Sequence, residues 1–287
     1  MGRHHSFLFL SILSAAVIFL SGCKRNQLNS ETNIAEDNSI AEALWEDVSN
    51  QVEGSSSLNE SDSLPTWNQC AIIRIDTLGS PFPIIFTADF GEENCLCLDG
   101  KYRRGSIIYE ATGPYRQSGS LITSSTDDYY VNDYKVEGTR ITNNVGVNSE
   151  GFHQYEISVT DGKVTTPDNE IISWESQRTR VWMEGSETGY FTIDSINGGF
   201  LGWDGITDDV YQITGNASGT SKEGRNFTAE IRSPLVAAVG CRWITQGILV
   251  LKPEELLERV FDYGYGDCDN QAVVTIGNRD YDVTLPE

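Results

Sequence analysis

Histidine is nearly absent from this chain of 287 residues: His4 and His5 stand at its start, and His153 is the third. That count excludes a metal centre built on several imidazoles. It also leaves His153 as the one histidine base in the body for nucleophilic catalysis, with no G-x-S-x-G elbow to accompany it. Within Phe152-His153-Gln154-Tyr155-Glu156-Ile157, strand alternation places His153 on one face with Tyr155 and Ile157, a structural position. Basic side chains are scarce as well, 20 Lys and Arg against 42 Asp and Glu, for a formal charge of −22. Such a surface repels nucleic acid and anionic headgroups, so nucleic acid is excluded as a partner. A glycine-rich phosphate loop and an H-R-D catalytic loop are both missing, which discards the kinase-like reading of Asp89-Phe90-Gly91. The triplet reads instead as a strand end, with aspartate accepting backbone amides and glycine permitting positive φ.

Long apolar runs are limited to one, Phe7 to Leu20, interrupted only by Ser11 and Ser14. Its 14 residues fall short of the ~20 that cross a bilayer as a helix. Preceded by Arg3, His4 and His5, it has the order of a secretory signal peptide. Leu20-Ser21-Gly22-Cys23 then resembles the lipobox of bacterial lipoproteins. The resemblance implies cleavage after Gly22 and diacylglyceryl and palmitate-type acylation at Cys23, whose thiolate is the nucleophile a thioether requires. Two or three acyl chains, at ~0.8 kcal/mol per buried methylene, hold a protein on a membrane without spanning it. The expected partner is therefore a membrane, reached through Cys23, and the expected place is the outer membrane. Periplasmic and cell-surface faces both stay open.

Removing residues 1–22 leaves 265 residues with 19 basic and 42 acidic side chains. Residues 23–65, rich in Asn, Ser, Glu and Asp, read as a mostly disordered tether. A short helix is expected inside it at Ile40 to Val48, where Ile40, Leu44 and Val48 recur at i, i+4 and i+8 beside Trp45. Residues 66–287 read as a single β-rich body, because short Val, Ile, Thr and Tyr runs alternate with turn residues. Val159-Thr160-Asp161-Gly162-Lys163-Val164 predicts a type I′ hairpin. Further hairpins are expected at Tyr130 to Val136, at Val274 to Tyr281, and around Gly224 between Tyr211 to Gly219 and Arg225 to Arg232. Pro253 to Arg259 is the one helical candidate of the body. The fold class is all-β, an antiparallel sandwich or a long curled meander.

An internal echo frames the body in two units, 70–107 and 241–285. Cys70-Ala71-Ile72-Ile73 leads to Asp89-Phe90-Gly91-Glu92-Glu93-Asn94-Cys95, and Cys241-Arg242-Trp243-Ile244 leads to Asp262-Tyr263-Gly264-Tyr265-Gly266-Asp267-Cys268. Each reads as a strand pair stapled by a disulfide, and the two units are expected near each other in space. Outside the cytoplasm disulfides are permitted, so Cys70 with Cys95 and Cys241 with Cys268 are the preferred pairs. With Cys23 acylated, five of the six cysteines remain and Cys97 is the odd thiol; Cys70 with Cys97 stays open as an alternative. A zinc site on Cys95-x-Cys97 has neither the usual C-x₂-C spacing nor the right compartment.

Asp89-Phe90-Gly91 with Gly100-Lys101-Tyr102-Arg103-Arg104-Gly105-Ser106-Ile107, Tyr130-Val131-Asn132 with Val136-Glu137-Gly138-Thr139, and Arg178-Thr179-Arg180-Val181-Trp182 together resemble a group of Bacteroidota lipoproteins, as does the terminal Asp262 to Asn270. The resemblance implies compartment and architecture and carries over no catalytic residue. No cofactor is expected. Asp262, Asp267, Asp269 and Asn270 gather hard oxygen ligands for calcium without the EF-hand pattern, and a solvated turn is the preferred reading. Asp127-Asp128 and Asp208-Asp209 are similar acidic pairs. Trp174, Trp182, Trp203 and Trp243 suit either core packing or a sugar platform, and Trp174 shares strand parity with Trp182. The reading that follows is a lipid-anchored, non-enzymatic structural or ligand-binding component of the envelope, with a glycan or envelope protein as possible partner. A carbohydrate-binding accessory lipoprotein is the alternative, and a carboxylate-dependent glycoside hydrolase the second.

Overall fold

The computed structural model describes residues 33–57, 70–77, 82–97, 99–187, 192–193, 200–202, 208–239, 241 and 243–285. Cys23, the N-terminal apolar run and Trp203 lie outside them. Among these residues one helix, α1 (Asn33–Ser57), precedes sixteen strands. These are β1 (Ile72–Thr77), β2 (Ile84–Asp89), β3 (Cys95–Leu96), β4 (Tyr102–Ala111), β5 (Leu121–Val131), β6 (Tyr134–Val147), β7 (His153–Thr165) and β8 (Ile171–Glu184). There follow β9 (Thr192–Ile193), β10 (Phe200–Gly202), β11 (Val210–Thr220), β12 (Asn226–Ala238), β13 (Ile244–Pro253), β14 (Arg259–Tyr265), β15 (Gln271–Ile276) and β16 (Arg279–Thr284).

Fourteen strands form one open antiparallel sheet in the order β1-β2-β4-β5-β6-β7-β8-β11-β12-β13-β14-β15-β16, with β3 alongside β4; β9 and β10 pair separately. Each strand of the main path pairs with the next in chain order, apart from these short interruptions. The all-β expectation therefore holds in its meander form. The sheet curls because its long strands are bulged: the register shifts between Arg104 and Ser106 on β4, Glu137 and Thr139 on β6, Val159 and Gly162 on β7, and Ile213 and Asn216 on β11. Each bulge adds local twist and bends its strand. The curl is needed for α1 to touch β2, β4, β5, β6 and β8 at once while also reaching Lys222 in the β11–β12 turn. The larger of two buried clusters runs from Ile84 and Phe86 on β2 through Trp45 and Val48 of α1 to Leu249 and Leu251 on β13.

Three local expectations are corrected. The tether reading fails for 33–57, where a helix of 25 residues replaces both disorder and the shorter Ile40–Val48 segment. Its interior side carries Ile34, Ala41, Leu44, Trp45 and Val48, together with the buried polar residues Asp37, Asn38, Asp47, Ser49 and Gln51. Polar groups paired with the sheet hide the buried face in the sequence, so a low apolar content does not mean exposure here. Asp161-Gly162 is not a hairpin turn. β7 passes straight through it, with Val159 opposite Ser176 and Gly162 opposite Trp174. Asp161 has φ +53, and the positive φ that suits a type I′ turn also suits a bulge. Pro253 to Arg259 is a turn rather than a helix: Pro253 pairs with Phe227 as the last residue of β13, and Glu255 at φ +62 ends any helical path.

Elsewhere the turn chemistry is as expected. Asn132 and Asp133, both at positive φ, close β5 onto β6. Gly277-Asn278 joins β15 to β16, and 221–225 joins β11 to β12. The two echoed units are strand pairs with disulfides between Cys70 and Cys95 (Cα–Cα 5.7 Å) and between Cys241 and Cys268 (5.8 Å), while Cys97 is a buried thiol outside both bridges. The Asp-aromatic-Gly echo is the same device twice. Gly91 N–H donates to Asp89 Oδ1 at 2.9 Å and Gly264 N–H to Asp262 Oδ1 at 3.0 Å, with both glycines at positive φ.

Candidate functional site

Between α1 and the concave face of the sheet lies a cavity of about 890 Å³. Its position follows from how the helix is seated. Besides its apolar contacts, α1 is tied to the sheet by polar side chains that reach across to partners on the strands.

The first of these contacts centres on Asp47, 2 % exposed. Its Oδ1 accepts from Lys101 Nζ (2.8 Å) and Arg103 Nη2 (2.5 Å), and its Oδ2 from Arg103 Nε (3.2 Å) and the Tyr129 hydroxyl (2.9 Å). Arg103 is fully buried and is gripped from its other side by both oxygens of Asp99, at 2.8 and 2.5 Å. Burial opposes the charge on Arg103, but the hydrogen bonds it donates to Asp99 and Asp47 outweigh it and hold the guanidinium charged well above its ordinary range. Burial likewise opposes ionisation of Asp99, and Arg103 overrides it, so Asp99 is held below the usual carboxylate range. Tyr129 moves the other way, its hydroxyl pushed up by burial and by the charge of Asp47. Removing either Asp47 or Arg103, the buried pair at the centre of this set, costs on the order of 3–5 kcal/mol, because the other charge is left uncompensated.

Three more contacts run from α1 to β8. Asn38 Oδ1 accepts from Trp174 Nε1 at 3.0 Å, Glu42 Oε1 accepts from Arg178 Nη2 at 2.9 Å and Nε at 3.3 Å, and Glu46 lies 3.8 Å from Arg180 Nη1. At the start of the helix, Asp37 accepts from Lys222 N–H at 3.0 Å, and burial raises its carboxyl above the ordinary value.

The strand β8 is the main wall. Its inward residues Ile172, Trp174, Ser176, Arg178, Arg180 and Trp182 are all buried, alternating with exposed ones. Beyond them an aromatic cluster of Tyr155, Trp182 and Tyr211, with Tyr115 against it, closes one side. Arg180 donates to the Tyr115 hydroxyl and lies 4.7 Å over the Tyr211 ring, while Arg116 lies 4.6 Å over Trp182. Asp209 sits among these rings, accepting from Trp182 Nε1 at 3.2 Å and from the Tyr211 hydroxyl at 3.0 Å. Burial, with Asp208 adding to it, pushes its carboxyl up to about 6. A carboxyl titrating there within a cavity is the perturbed group one looks for at a functional site. Ile213, Leu235 and Ile244 supply the apolar remainder.

Four tryptophans, Trp45, Trp174, Trp182 and Trp243, line the cavity, out of six in the chain. Trp174 and Trp182 do share a face, but it is the buried one, so they are not an exposed row of sugar-stacking rings. Cys97 and Cys241 also reach the lining, which brings a part of each echoed unit to one space although they lie toward opposite ends of the strand order.

The other expected sites do not converge. Asp262 and Asp269 cap backbone amides of their own loop, Asn270 accepts from the Gln271 side chain, and Asp267 stands in the same loop as an exposed side chain. Among the described residues no group of three or more His, Cys, Asp or Glu is placed to hold a metal ion. His153 is packed in β7 with its ring 6.4 Å from that of Trp182. The arginines of the wall escaped the sequence reading. The signal was there: Arg178 and Arg180 share the strand parity of Trp174 and Trp182, so two of the six buried positions of β8 are basic.

No described helix is long and apolar enough to cross a membrane. No family model, curated protein or solved structure matches the chain.

Proposed function

We propose that this chain is a lipoprotein anchored to the outer membrane by acyl groups on Cys23, and that its β-rich body is a non-enzymatic ligand-binding component of the envelope. The cavity under α1 carries the reading. Its volume of about 890 Å³ falls in the ~300–1,000 Å³ range of small-molecule sites. Its lining combines aromatic and aliphatic side chains, four tryptophans among them, with eleven charged groups, several of them fixed in place. Those groups are not left to adjust on binding, since Arg103, Arg178 and Arg180 are already oriented by partners on α1 and the neighbouring strands. The lipobox supports the anchor independently of the cavity.

Two measurements test the two halves. Labelled palmitate is expected to enter the wild-type chain and not Cys23→Ala; equal labelling of both overturns the anchor. For the body, the neutral probe N-phenyl-1-naphthylamine is expected to bind saturably at one site per chain, with energy transfer from the cavity tryptophans. Non-saturating uptake without energy transfer overturns the binding reading.

Asp209 favours a second reading, carboxylate-dependent hydrolysis, because its raised carboxyl is available as a proton donor near neutral pH. Recovery of bound glycans intact after prolonged incubation rejects it, and cleavage that disappears in Asp209→Asn supports it.

A further inference from the structure

We infer that the cavity takes an organic anion, a carboxylate or phosphate carried on an apolar body, with its acid group received at Arg178. The inference rests on the binding reading above and names the ligand class for the same cavity.

Charge distribution is the first argument. Over the whole chain acidic side chains outnumber basic ones by 42 to 20. Along the cavity the balance inverts: Lys101, Arg103, Arg116, Arg140, Arg178 and Arg180 face five carboxylates. A molecule with an acidic surface has thus gathered nearly a third of its cations around one interior space. Burying a guanidinium is costly unless it is matched by an acceptor, so cations are not collected there by chance composition.

The second argument concerns how those charges are matched. Lys101 and Arg103 are consumed by Asp47 and Asp99, which form a closed set with Tyr129. Asp209 is turned to Trp182 and Tyr211. Glu42 and Glu46 then face the arginines of β8, and Glu42 engages only Nε and Nη2 of Arg178. Arg178, 7 % exposed, lines the cavity, and its Nη1 is buried with no acceptor among the described residues. Trp45 is a second donor of this kind, 2 % exposed and also lining the cavity, with no acceptor for its Nε1–H. Two buried donors on the lining of one cavity call for a ligand that brings acceptor oxygens. An anion supplies them with charge-assisted bonds, about twice as strong as neutral ones.

The third argument is the remainder of the lining. Ile213, Leu235, Ile244 and the carbon faces of the tryptophan rings offer apolar surface to the body of a ligand. They fit an aliphatic or aromatic one.

The test uses the chain with Cys23→Ala, exported behind a generic cleavable signal so that no acyl group of its own competes. Tryptophan fluorescence is titrated with dodecanoate and 2-naphthoate, and with dodecanol and 2-naphthol, which keep each body and remove the acid. At least one acid is expected to bind tenfold or more tighter than its alcohol, and which acid does so tells an aliphatic from an aromatic body. Arg178→Met is expected to abolish that preference, so that each acid binds no tighter than its alcohol. Glu42, a third exposed at its side chain, turns to water in that variant, and Arg178→Lys restores part of the preference. If the alcohols bind as tightly as the acids, or if Arg178→Met leaves the preference intact, the anion inference is overturned while the binding reading stands. If none of the four compounds binds, both fall.

Discussion

Asp209 ties the cavity wall to pH. Burial raises its carboxyl from the ordinary 3.8 to about 6, even though Tyr211 and Trp182 donate to it and pull the other way. The native state therefore holds this proton more tightly than the unfolded chain does. The stability the proton lends is fully present below pH 3.8 and is lost as pH rises through about 6. Asp209→Asn keeps a neutral side chain at every pH and so removes the step. Urea denaturation of both proteins between pH 4 and 7.5 is expected to show wild type losing about 1–3 kcal/mol relative to the variant as pH rises. A difference that stays flat across that range rejects the raised carboxyl. Asp99, on the lining of the same cavity, behaves oppositely, held low by Arg103, and its contribution fades only in more acidic solution. The two carboxylates face one cavity, and their partners set them apart.

Strands were legible because their periodicity is local, and bulges were not because they are read only against a neighbour. The hairpins at Tyr130 to Val136 and Val274 to Tyr281 were visible as turn residues between alternating runs, and both form. Asp161-Gly162 carries the same signal and forms none, since β6 and β8 continue to pair with β7 on either side of it. Whether two residues of positive-φ type close a hairpin or relieve a long strand depends on partners distant in sequence. Gly162 shows what the bulge demands. A Cβ there falls 2.1 Å from the backbone oxygen of Trp174 and 3.1 Å from Val159 Cγ1, and a backbone atom inside a sheet cannot step aside. Gly162→Ala is expected to cost about 1–3 kcal/mol in thermal or urea denaturation, from overpacking with loss of curl. If the bulge is incidental, stability is unchanged.

At the scale of the molecule, the disulfides and the all-β class could be read from residue types, whereas the cavity could not, because α1 looks like a tether. Its inward residues include Asp37, Asn38 and Asp47, which a composition reading scores as solvent-facing and which only the arginines, lysines and tryptophans of the sheet make interior. An open sheet has one face to bury and no second sheet to bury it against. The helix fills that role, and Trp45 lies at its centre, with its ring against Gly138 of β6 and its side chain within the cluster that runs from β2 to β13. Trp45→Ala is therefore expected to destabilise the entire body by about 3–5 kcal/mol, as large aromatic truncations in cores do. Far-ultraviolet dichroism, which reports the strands, and fluorescence of the remaining tryptophans are expected to shift together to lower urea, as one cooperative unit requires. A helix that merely docks on a self-sufficient sheet predicts otherwise: the strand signal then keeps its wild-type midpoint while only the fluorescence changes.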